Sequence, residues 1–326
     1  MKILVTGGAG FIGSHTCEHL LTLGHQIVAL DNFDSFYPKA RKRRNVETAQ
    51  KHENYKLIEG DFGDRLAVSK LLESEKFDVV LHLAAQAGVR PSIHDALKYE
   101  RTNVRNLIAM LEAMRDHGPR KIVAASSSSV YGNETPAPFR EDAPCMQTLS
   151  PYAASKRAAE IFLGTYAQLY DFKITVVRPF TVYGPRQRPD MAIASFAEKL
   201  LLNEPITLFG DGSSSRDYTY VSDLVDGLTA AVDKIDASYT VYNLGGDAPV
   251  SLADLIAKLE AIVGRKAQIQ RMEPPQGDVQ RTAADISKAR KELGFSPKVS
   301  LQEGLEKTVT WVRRELRLEA GAAAKA

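Results

Sequence analysis

Short apolar runs alternate with longer amphipathic stretches through the first half of the chain. A run such as Lys2–Thr6 has no polar alternation, which is typical of a parallel strand buried on both faces. The stretches between the runs have the length and periodicity of helices. Strands are predicted at residues 2–6, 26–30, 55–59, 78–83, 121–125 and 173–178, and helices at 14–23, 65–75, 99–117 and 150–170. This order predicts an α/β fold with a doubly wound parallel sheet.

The alternation weakens after residue 178, where shorter elements are separated by proline and glycine. Strands are predicted there at 206–209 and 240–244, and helices at 191–202, 251–263 and 301–316. We therefore divide the chain into a sheet-forming domain at residues 1–178 and a smaller α/β region at 179–318, some of whose segments return to the sheet. The alanine-rich residues 319–326 lack an apolar pattern, which predicts a flexible tail.

A glycine motif follows the first predicted strand directly. Gly7, Gly10 and Gly13 stand at three-residue intervals, a helix follows, and the second strand ends at Asp31. This is the pattern of a Rossmann-type dinucleotide site, in which glycines let the backbone approach the diphosphate at a helix N-terminus. The Asp31 carboxylate would accept hydrogen bonds from the adenosine ribose and repel a 2′-phosphate. The motif therefore favours NAD over NADP.

Residues that follow the other predicted strands complete the expected NAD site, because ligands of open parallel sheets bind at the carboxyl edge. Asp61 is placed to contact adenine, and small residues after the strand at 78–83 leave room for a cofactor. We interpret His82 as a core residue and the basic run at 41–44 as a solvated helix face. The predicted NAD contacts are Gly7, Gly10, Phe11, Ile12, Gly13, Asp31, Asn32, Asp61, Phe62, Leu83, Ala84, Ala85, Gln86, Asn103, Ser126, Tyr152, Lys156 and Pro179.

A tyrosine and a lysine lie four residues apart on the predicted helix at 150–170. Ser150 is a suitable N-cap and Pro151 suits the first helical position, so Tyr152 and Lys156 share one helix face. A lysine cation near a phenol lowers its pKa, which would tune Tyr152 as a proton acceptor and donor near neutral pH. Ser127, in the run of serines after the fifth strand, can hydrogen-bond a reacting oxygen. These three side chains are the predicted catalytic residues.

The composition narrows the classes of partner. A net charge of +2 with 25% charged residues gives no electrostatic case for nucleic acid or an anionic membrane. No apolar run reaches the length of a membrane span. The two cysteines do not suggest a disulfide framework and fit a reducing cytosol, so we expect a cytoplasmic protein. The few histidines show no metal-ligand spacing, and we predict no metal.

Together these motifs resemble a known family. The glycine motif, Asp31, Asp61, residues 82–85, Ser127, the Tyr152/Lys156 pair and residues 216–218 are similar to those of the extended short-chain dehydrogenase/reductases. The branch they resemble most is the NAD-dependent nucleotide-sugar epimerases and dehydratases. Dehydratases of this branch have an acid pair after the fifth strand, and UDP-glucuronate decarboxylases have a glutamate there. This chain has serines at those positions, which favours epimerisation.

Finer features, at residues 86–90 and 180–185, resemble the UDP-glucuronate 4-epimerases. The resemblance implies that hydroxyls or arginines hold the sugar carboxylate, and that region 179–318 binds most of the UDP-sugar. It also implies that Phe209 holds uracil, Arg216 binds the diphosphate and Asp278 contacts the uridine ribose. The predicted substrate residues are Arg90, Ser127, Ser128, Ser129, Thr181, Arg186, Arg188, Phe209, Arg216 and Asp278. A homodimer formed through the helices at 99–117 and 150–170 is implied as well.

The activity implied by the resemblance is NAD-dependent epimerisation at C4 of a UDP-sugar, from UDP-glucuronate to UDP-galacturonate through a 4-keto intermediate. Tyr152 would remove the 4-hydroxyl proton, Lys156 would support the phenolate and bind the nicotinamide ribose, and Ser127 would hydrogen-bond the reacting oxygen. The alternatives are a UDP-glucose or UDP-N-acetylglucosamine 4-epimerase, a UDP-glucuronate decarboxylase and an NAD-binding protein without turnover.

Overall fold

The computed structural model describes residues 1–273, 277 and 279–323 of the 326-residue chain. Its strands are β1 (Lys2–Thr6), β2 (Gln26–Asp31), β3 (Tyr55–Glu59), β4 (Val79–His82), β5 (Lys121–Ala125), β6 (Lys173–Pro179), β7 (Thr181–Tyr183), β8 (Ile206–Phe209), β9 (Ser215–Tyr220), β10 (Tyr239–Leu244), β11 (Pro249–Ser251) and β12 (Ile269–Met272). Its α-helices are α1 (Phe11–Thr22), α2 (Lys39–Val46), α3 (Arg65–Glu75), α4 (Val89–His94), α5 (Ala96–Glu100), α6 (Asn106–His117), α7 (Pro151–Tyr170), α8 (Ala192–Leu202), α9 (Val221–Asp233), α10 (Leu252–Val263), α11 (Ser287–Leu293) and α12 (Leu301–Ala323).

The main sheet has, among the described residues, seven strands in the order β10-β6-β5-β4-β1-β2-β3. Every neighbouring pair is parallel. Strands β2 and β3 extend the sheet on one side of β1, and β4, β5, β6 and β10 extend it on the other side. Such a reversal opens a crevice at the carboxyl ends of the strands, where ligands bind. The predicted doubly wound parallel sheet is confirmed.

Two hydrophobic cores cover the two faces of this sheet. Ile3 and Val5 of β1 belong to one core and Leu4 belongs to the other, and all three are fully buried. Since successive strand residues point to opposite faces, a strand covered on both sides must be apolar throughout. The continuous apolar runs of the sequence have this cause. The sheet is therefore a rigid platform for the loops at its carboxyl edge.

The region after residue 179 forms smaller sheets and also contributes to the main sheet. A three-stranded sheet has the order β11-β9-β7, and β12 pairs with β8. By contrast, β10 pairs with β6 in the main sheet, and α9 packs on α1 and β5. The two regions are thus joined by packed elements, and the ligand crevice lies where their loops meet.

Two helical segments differ from the sequence prediction. The helix expected at 99–117 is interrupted by a π-helical turn, Arg101–Arg105, between α5 and α6. The last helix continues past Leu316 to Ala323, into the expected tail, because leucine, glutamate and alanine are strong helix formers. The basic run at 41–44 forms the middle of α2, so it is helical as expected. Among the described residues, no helix has both the length and the apolar character needed to cross a membrane.

Candidate active site

A cavity of about 1000 Å³ opens at the carboxyl edge of the main sheet and continues between the loops of the smaller sheets. This volume is at the upper end of the range for small-molecule sites, so it can accept more than one nucleotide-sized ligand. Its wall includes the predicted cofactor residues Gly7, Gly10, Phe11, Ile12, Gly13, Asp31, Asn32, Phe62, Leu83, Ala84, Ala85, Gln86, Ser126, Tyr152, Lys156 and Pro179. It also includes the predicted substrate residues Arg90, Ser127, Ser128, Ser129, Thr181, Arg188, Phe209 and Arg216.

The glycine turn forms one end of the cavity. Gly7 has a φ of +74°, and a Cβ on it would lie 2.8 Å from the Ala84 nitrogen. A Cβ on Gly13 would lie 2.1 Å from the Gly7 oxygen. Gly10 caps α1 without any side-chain hydrogen bond, so the first-turn N–H groups face the cavity with the positive end of the helix dipole. This cradle fits a dinucleotide diphosphate.

Asp31 stands at the end of β2 with both carboxylate oxygens fixed. It accepts hydrogen bonds from the backbone nitrogens of Ala9 (3.1 Å) and Phe33 (2.8 Å). Lys42 Nζ lies 3.7 Å from Asp31 Oδ1, and both side chains are buried. The interpretation of the basic run as a solvated face is therefore wrong for Lys42, which turns inward and lines the cavity. The sequence signal for this is spacing. Lys42 is three and four residues from Asn45 and Val46, so the three share one face of α2, and that face is buried.

Tyr37 is a further cavity residue that the sequence analysis did not single out. Its ring packs 5.1 Å from Lys42 Nζ, and the residue is only 8% exposed. Within the described residues, its hydroxyl is buried and has no hydrogen-bond partner. A buried hydroxyl without a partner costs about 1–3 kcal/mol. The hydroxyl is thus placed to bond whatever fills this end of the cavity.

The predicted catalytic side chains meet at the centre of the cavity. The Ser150 hydroxyl caps α7 by accepting from the Ala153 nitrogen at 3.2 Å, and this start places Tyr152 on the cavity wall. Ser127 Oγ accepts from the Ser129 nitrogen (3.2 Å) and from Ser129 Oγ (2.9 Å). Because both acceptor positions of Ser127 are occupied, its own proton is left to donate toward the cavity. Ser127 is therefore a fixed hydrogen-bond donor beside the tyrosine.

The electrostatics of Tyr152 differ from the expectation. Burial raises the pKa of Tyr152, while the Ser127 hydroxyl and the Arg188 guanidinium oppose that rise. Lys156 Nζ instead donates to the Ala125 oxygen at 2.8 Å, and burial lowers the pKa of Lys156 to about 8. Among the described residues, Arg188 is the cation that opposes this rise. Support of the phenolate by Lys156, which is anchored at the end of β5, stays a prediction.

Arg188 is held rigidly on the cavity wall. Its Nε and one terminal nitrogen donate to Asp190 at 3.0 and 2.9 Å, and its guanidinium lies over the Phe36 ring at 5.2 Å. A planar guanidinium fixed in this way presents its remaining edge in one orientation. It is suited to bind a carboxylate in the cavity.

Arg186 is not in the site. Its guanidinium donates to Glu18 of α1 at 2.8 Å, and it does not line the cavity. The backbone at Arg186 is left-handed, with a φ of 67°. The sequence prediction that placed Arg186 with the substrate residues did not foresee this ion pair between distant parts of the chain.

Two predicted cofactor residues support the cavity without lining it. The Asn103 side chain bonds both the backbone nitrogen (2.8 Å) and oxygen (2.9 Å) of Gln86 and also donates to Ser155. Asp61 is exposed and accepts from the Asn32 side chain at 3.1 Å and from the Gly63 nitrogen at 2.7 Å. Both residues fix the positions of wall residues, and their direct contact with NAD stays a prediction.

Ser126, Asp278 and His82 complete the residues singled out in the sequence. Ser126 lies on the cavity wall, but its hydroxyl donates to the buried Glu160 at 2.6 Å. Asp278, predicted to contact a ribose, lies outside the described residues. His82 is buried, as predicted for a core residue, and its Nδ1 lies 2.7 Å from Thr6 Oγ1.

The far end of the cavity joins the two regions of the chain. The Arg90 guanidinium, on α4, lies 4.0 Å above the ring of Phe209 in β8. Arg216 of β9 lines the same end and donates to the Ser215 oxygen at 3.0 Å. An aromatic ring beside two cations suits a planar base attached to phosphates. Among the described residues, no group of three or more histidine, cysteine or acidic side chains could hold a metal ion.

The chain is similar to proteins of known activity over nearly its full length. Residues 3–245 match the model of the NAD dependent epimerase/dehydratase family. A UDP-glucuronate 4-epimerase from Thermodesulfobacterium geofontis is 40% identical over 316 residues, covering 97% of both chains. The crystal structure of a Bacillus cereus UDP-glucuronic acid 4-epimerase with UDP-glucuronic acid and NAD has a TM-score of 0.91 at 38% identity, covering 97% of this chain and all of that one. A Thermotoga maritima UDP-glucose 4-epimerase with UDP-glucose has a TM-score of 0.88 at 34% identity and the same coverage.

Proposed function

This chain belongs to the NAD dependent epimerase/dehydratase family, and from that premise we propose that it converts UDP-glucuronate to UDP-galacturonate by epimerisation at C4. The observation that carries the proposal is one cavity wall with Tyr152, the Ser127 donor and the fixed Arg188 cation. Residues 126–129, where relatives that eliminate water or carbon dioxide have an acid, are all serine. This wall offers hydroxyls and a cation to an acidic sugar.

Tyr152 and Ser127 handle the reacting oxygen in this proposal. Bound NAD⁺ would supply a reversible hydride acceptor beside C4 of the sugar. Tyr152 takes the proton of the 4-hydroxyl and later gives it back. Ser127 donates a hydrogen bond to the same oxygen and stabilises the charge that develops there. The acid–base work therefore rests on one phenol.

Arg188 holds the sugar carboxylate, with the hydroxyls of Thr181, Ser128 and Ser129 as further partners on the same wall. This contact matters because oxidation at C4 makes glucuronate a β-keto acid, which readily loses carbon dioxide. Loss requires the bond to the carboxyl carbon to align with the carbonyl π system. A guanidinium locked by Asp190 keeps the carboxylate in one orientation, which supports turnover without decarboxylation.

The uridine diphosphate occupies the far end of the cavity in this proposal. Phe209 and Arg90 flank the uracil ring, and Arg216 neutralises the diphosphate. Asp278 is proposed to contact the uridine ribose, as its family motif implies. The bound nucleotide anchors the sugar beside Tyr152. The 4-keto sugar can therefore rotate and present its other face without leaving the site.

Initial rates with three UDP-sugars test the substrate. Purified protein is assayed separately with UDP-glucuronate, UDP-glucose and UDP-N-acetylglucosamine, and kcat/KM is compared. We expect UDP-glucuronate to exceed the two neutral sugars by about 10-fold or more, since a charged hydrogen bond contributes roughly 1.5–3 kcal/mol. Higher kcat/KM with a neutral sugar would reassign the protein as a UDP-glucose or UDP-N-acetylglucosamine 4-epimerase. Absence of turnover with all three would favour an NAD-binding protein.

A homodimer is proposed as the working form. Apolar side chains on α7 are exposed in the single chain, with Ile161 at 56%, Phe162 at 37% and Leu169 at 64%, and Leu97 of the adjacent α5 is 80% exposed. Such a patch is typical of a protein interface. Light scattering should give twice the chain mass, and Leu169→Glu should give a monomer.

The two cysteines are free and buried, which suits the cytoplasmic location that we also propose.

A further inference from the structure

Glu160 is a buried acid that lies one helical turn beyond Lys156 on α7. It is 1% exposed and does not line the large cavity. Its Oε1 accepts from Ser126 Oγ at 2.6 Å and from Arg178 Nε at 2.8 Å. Its Oε2 accepts from Arg178 at 2.8 Å and from Arg157 at 3.0 Å. No step described above uses this fully bonded carboxylate.

The hydrogen bonds of Glu160 connect the elements that hold the catalytic groups. Through Ser126, Glu160 fixes the chain directly after Ala125, whose oxygen receives the Lys156 ammonium. Lys156 and Glu160, one helical turn apart on α7, therefore hold Ala125 and Ser126, which are consecutive residues at the end of β5. Arg178 extends the connection into β6, where it also donates to the Tyr131 hydroxyl at 2.9 Å. A shift of Glu160 would move the surroundings of the lysine.

A small cavity of about 10 Å³ lies between Lys156 and Glu160. Ser126, His82 and Asn103 contribute further polar side chains to its wall, and the remaining lining residues are apolar. A void of this size admits about one water molecule. Lys156 and Glu160 both line this space and both are buried, so little solvent screens the attraction between their charges.

We propose that Glu160 is a positioning residue that keeps the Lys156 ammonium charged and fixed against the end of β5. The inference deepens the proposed function, since it concerns a lysine of the same site. The titratable groups around Lys156 are Glu160 on α7 and His82 on β4, which line the small cavity with it, and Tyr152, which lies one helical turn earlier on α7. Behind Glu160 stand Arg178 on β6 and Arg157 on α7.

The ionisation states of these groups agree with the geometry. Burial would raise the pKa of Glu160, but Arg178, Ser126 and Arg157 outweigh it and leave that pKa below its ordinary value. Burial, and then Lys156, lower the pKa of His82 to about 3, so the histidine is neutral at working pH. Burial lowers the pKa of Lys156 to about 8, and the Glu160 carboxylate opposes that fall. Loss of the Glu160 charge should therefore lower the pKa of Lys156 further.

The test follows the titration of Lys156 directly. Protein labelled with ¹⁵N at lysine Nζ is titrated by NMR, and the Lys156 signal is assigned by its loss in Lys156→Met. The main variant is Glu160→Gln. Because that variant leaves Arg178 buried without its partner, and so can fail to fold, the double variant Glu160→Gln/Arg178→Met removes the whole pair. Arg157→Gln is the matched control, since it removes a partner of Glu160 but keeps the carboxylate.

We expect a midpoint near 8 for Lys156 in the unaltered protein and a midpoint lower by about one pH unit or more in Glu160→Gln. The double variant should show a smaller decrease, because it also removes the Arg178 cation. The alkaline limb of kcat/KM should move to lower pH by a similar amount, because the active lysine is the charged form. In Arg157→Gln the Lys156 midpoint and the pH of the alkaline limb should stay unchanged or rise slightly. An unchanged Lys156 midpoint in the folded double variant would overturn the inference. Because the NMR titration needs no substrate, failure to epimerise UDP-glucuronate would refute only the proposed function.

Discussion

Gly13→Ala tests the cofactor cradle, because it adds one methyl group at the tightest contact of the glycine turn. A Cβ at this position would lie 2.1 Å from Gly7 O and 2.9 Å from Gly7 C and Gly8 Cα. A carbon and an oxygen in ordinary contact stand about 3.3 Å apart. All three neighbours are backbone atoms, so no side chain can rotate away. The turn and α1 must therefore separate by about 1 Å, the difference between these distances.

That displacement moves the first-turn N–H groups of α1 away from a bound diphosphate. A misplacement of about 1 Å costs on the order of 100-fold in a function that depends on the geometry, so we expect the Kd for NAD to rise about 100-fold. Isothermal titration gives the Kd directly. The NAD released from denatured, freshly purified protein, measured by chromatography, gives an independent reading of cofactor retention.

Gly24→Ala is the matched control at the other end of α1. A Cβ on Gly24 would meet no atom within 4 Å, but the φ there is +81°. Left-handed backbone costs an alanine about 1 kcal/mol, so the control should lower Tm slightly and leave the Kd for NAD unchanged. A Gly13→Ala protein with the NAD affinity of the control would refute the reasoning.

Three further substitutions probe separate parts of the cavity. Ser127→Ala removes the fixed donor at the reacting oxygen, so steady-state kinetics should show a kcat lower by about 100-fold with little change in substrate Kd; an unaltered kcat would contradict this role. Arg188→Ala should lower kcat/KM about 10-fold or more for UDP-glucuronate but not for UDP-glucose, and equal losses for both sugars would show that Arg188 does not bind the carboxylate. Tyr37→Phe removes the buried hydroxyl that has no partner among the described residues, so calorimetry should show a Kd for NAD higher by about 2–10-fold, whereas an unchanged Kd would place the hydroxyl outside the ligand contacts.

The main sheet and the cofactor end of the cavity could be predicted from the sequence because their signals are local. The run Lys2–Thr6 is apolar since both faces of β1 are covered. The glycine turn and Asp31 follow from strand, turn and helix in immediate succession. Ser150 and Pro151 likewise begin α7 where local capping rules place them. Backbone conformation and short-range order determine these features.

Other features depend on partners that are distant in the chain, and the sequence does not show those partners. Arg186 and Arg188 are two residues apart, but Glu18 of α1 binds one and Asp190 fixes the other in the cavity. Lys42 turns inward because Asp31 lies beneath it. The π-helical turn at Arg101–Arg105 gives no local signal, yet Asn103 within it bonds the backbone of Gln86.

The most direct test of the central claim is ¹H NMR of UDP-glucuronate incubated with the purified protein in D₂O. The account predicts the signals of UDP-galacturonate, with the hydrogen at C4 retained because it never exchanges with solvent. It also predicts that Tyr152→Phe abolishes the conversion while the protein keeps its NAD. UDP-xylose or a 4-keto pentose as the product, or deuterium at C4 of the product, would contradict the account.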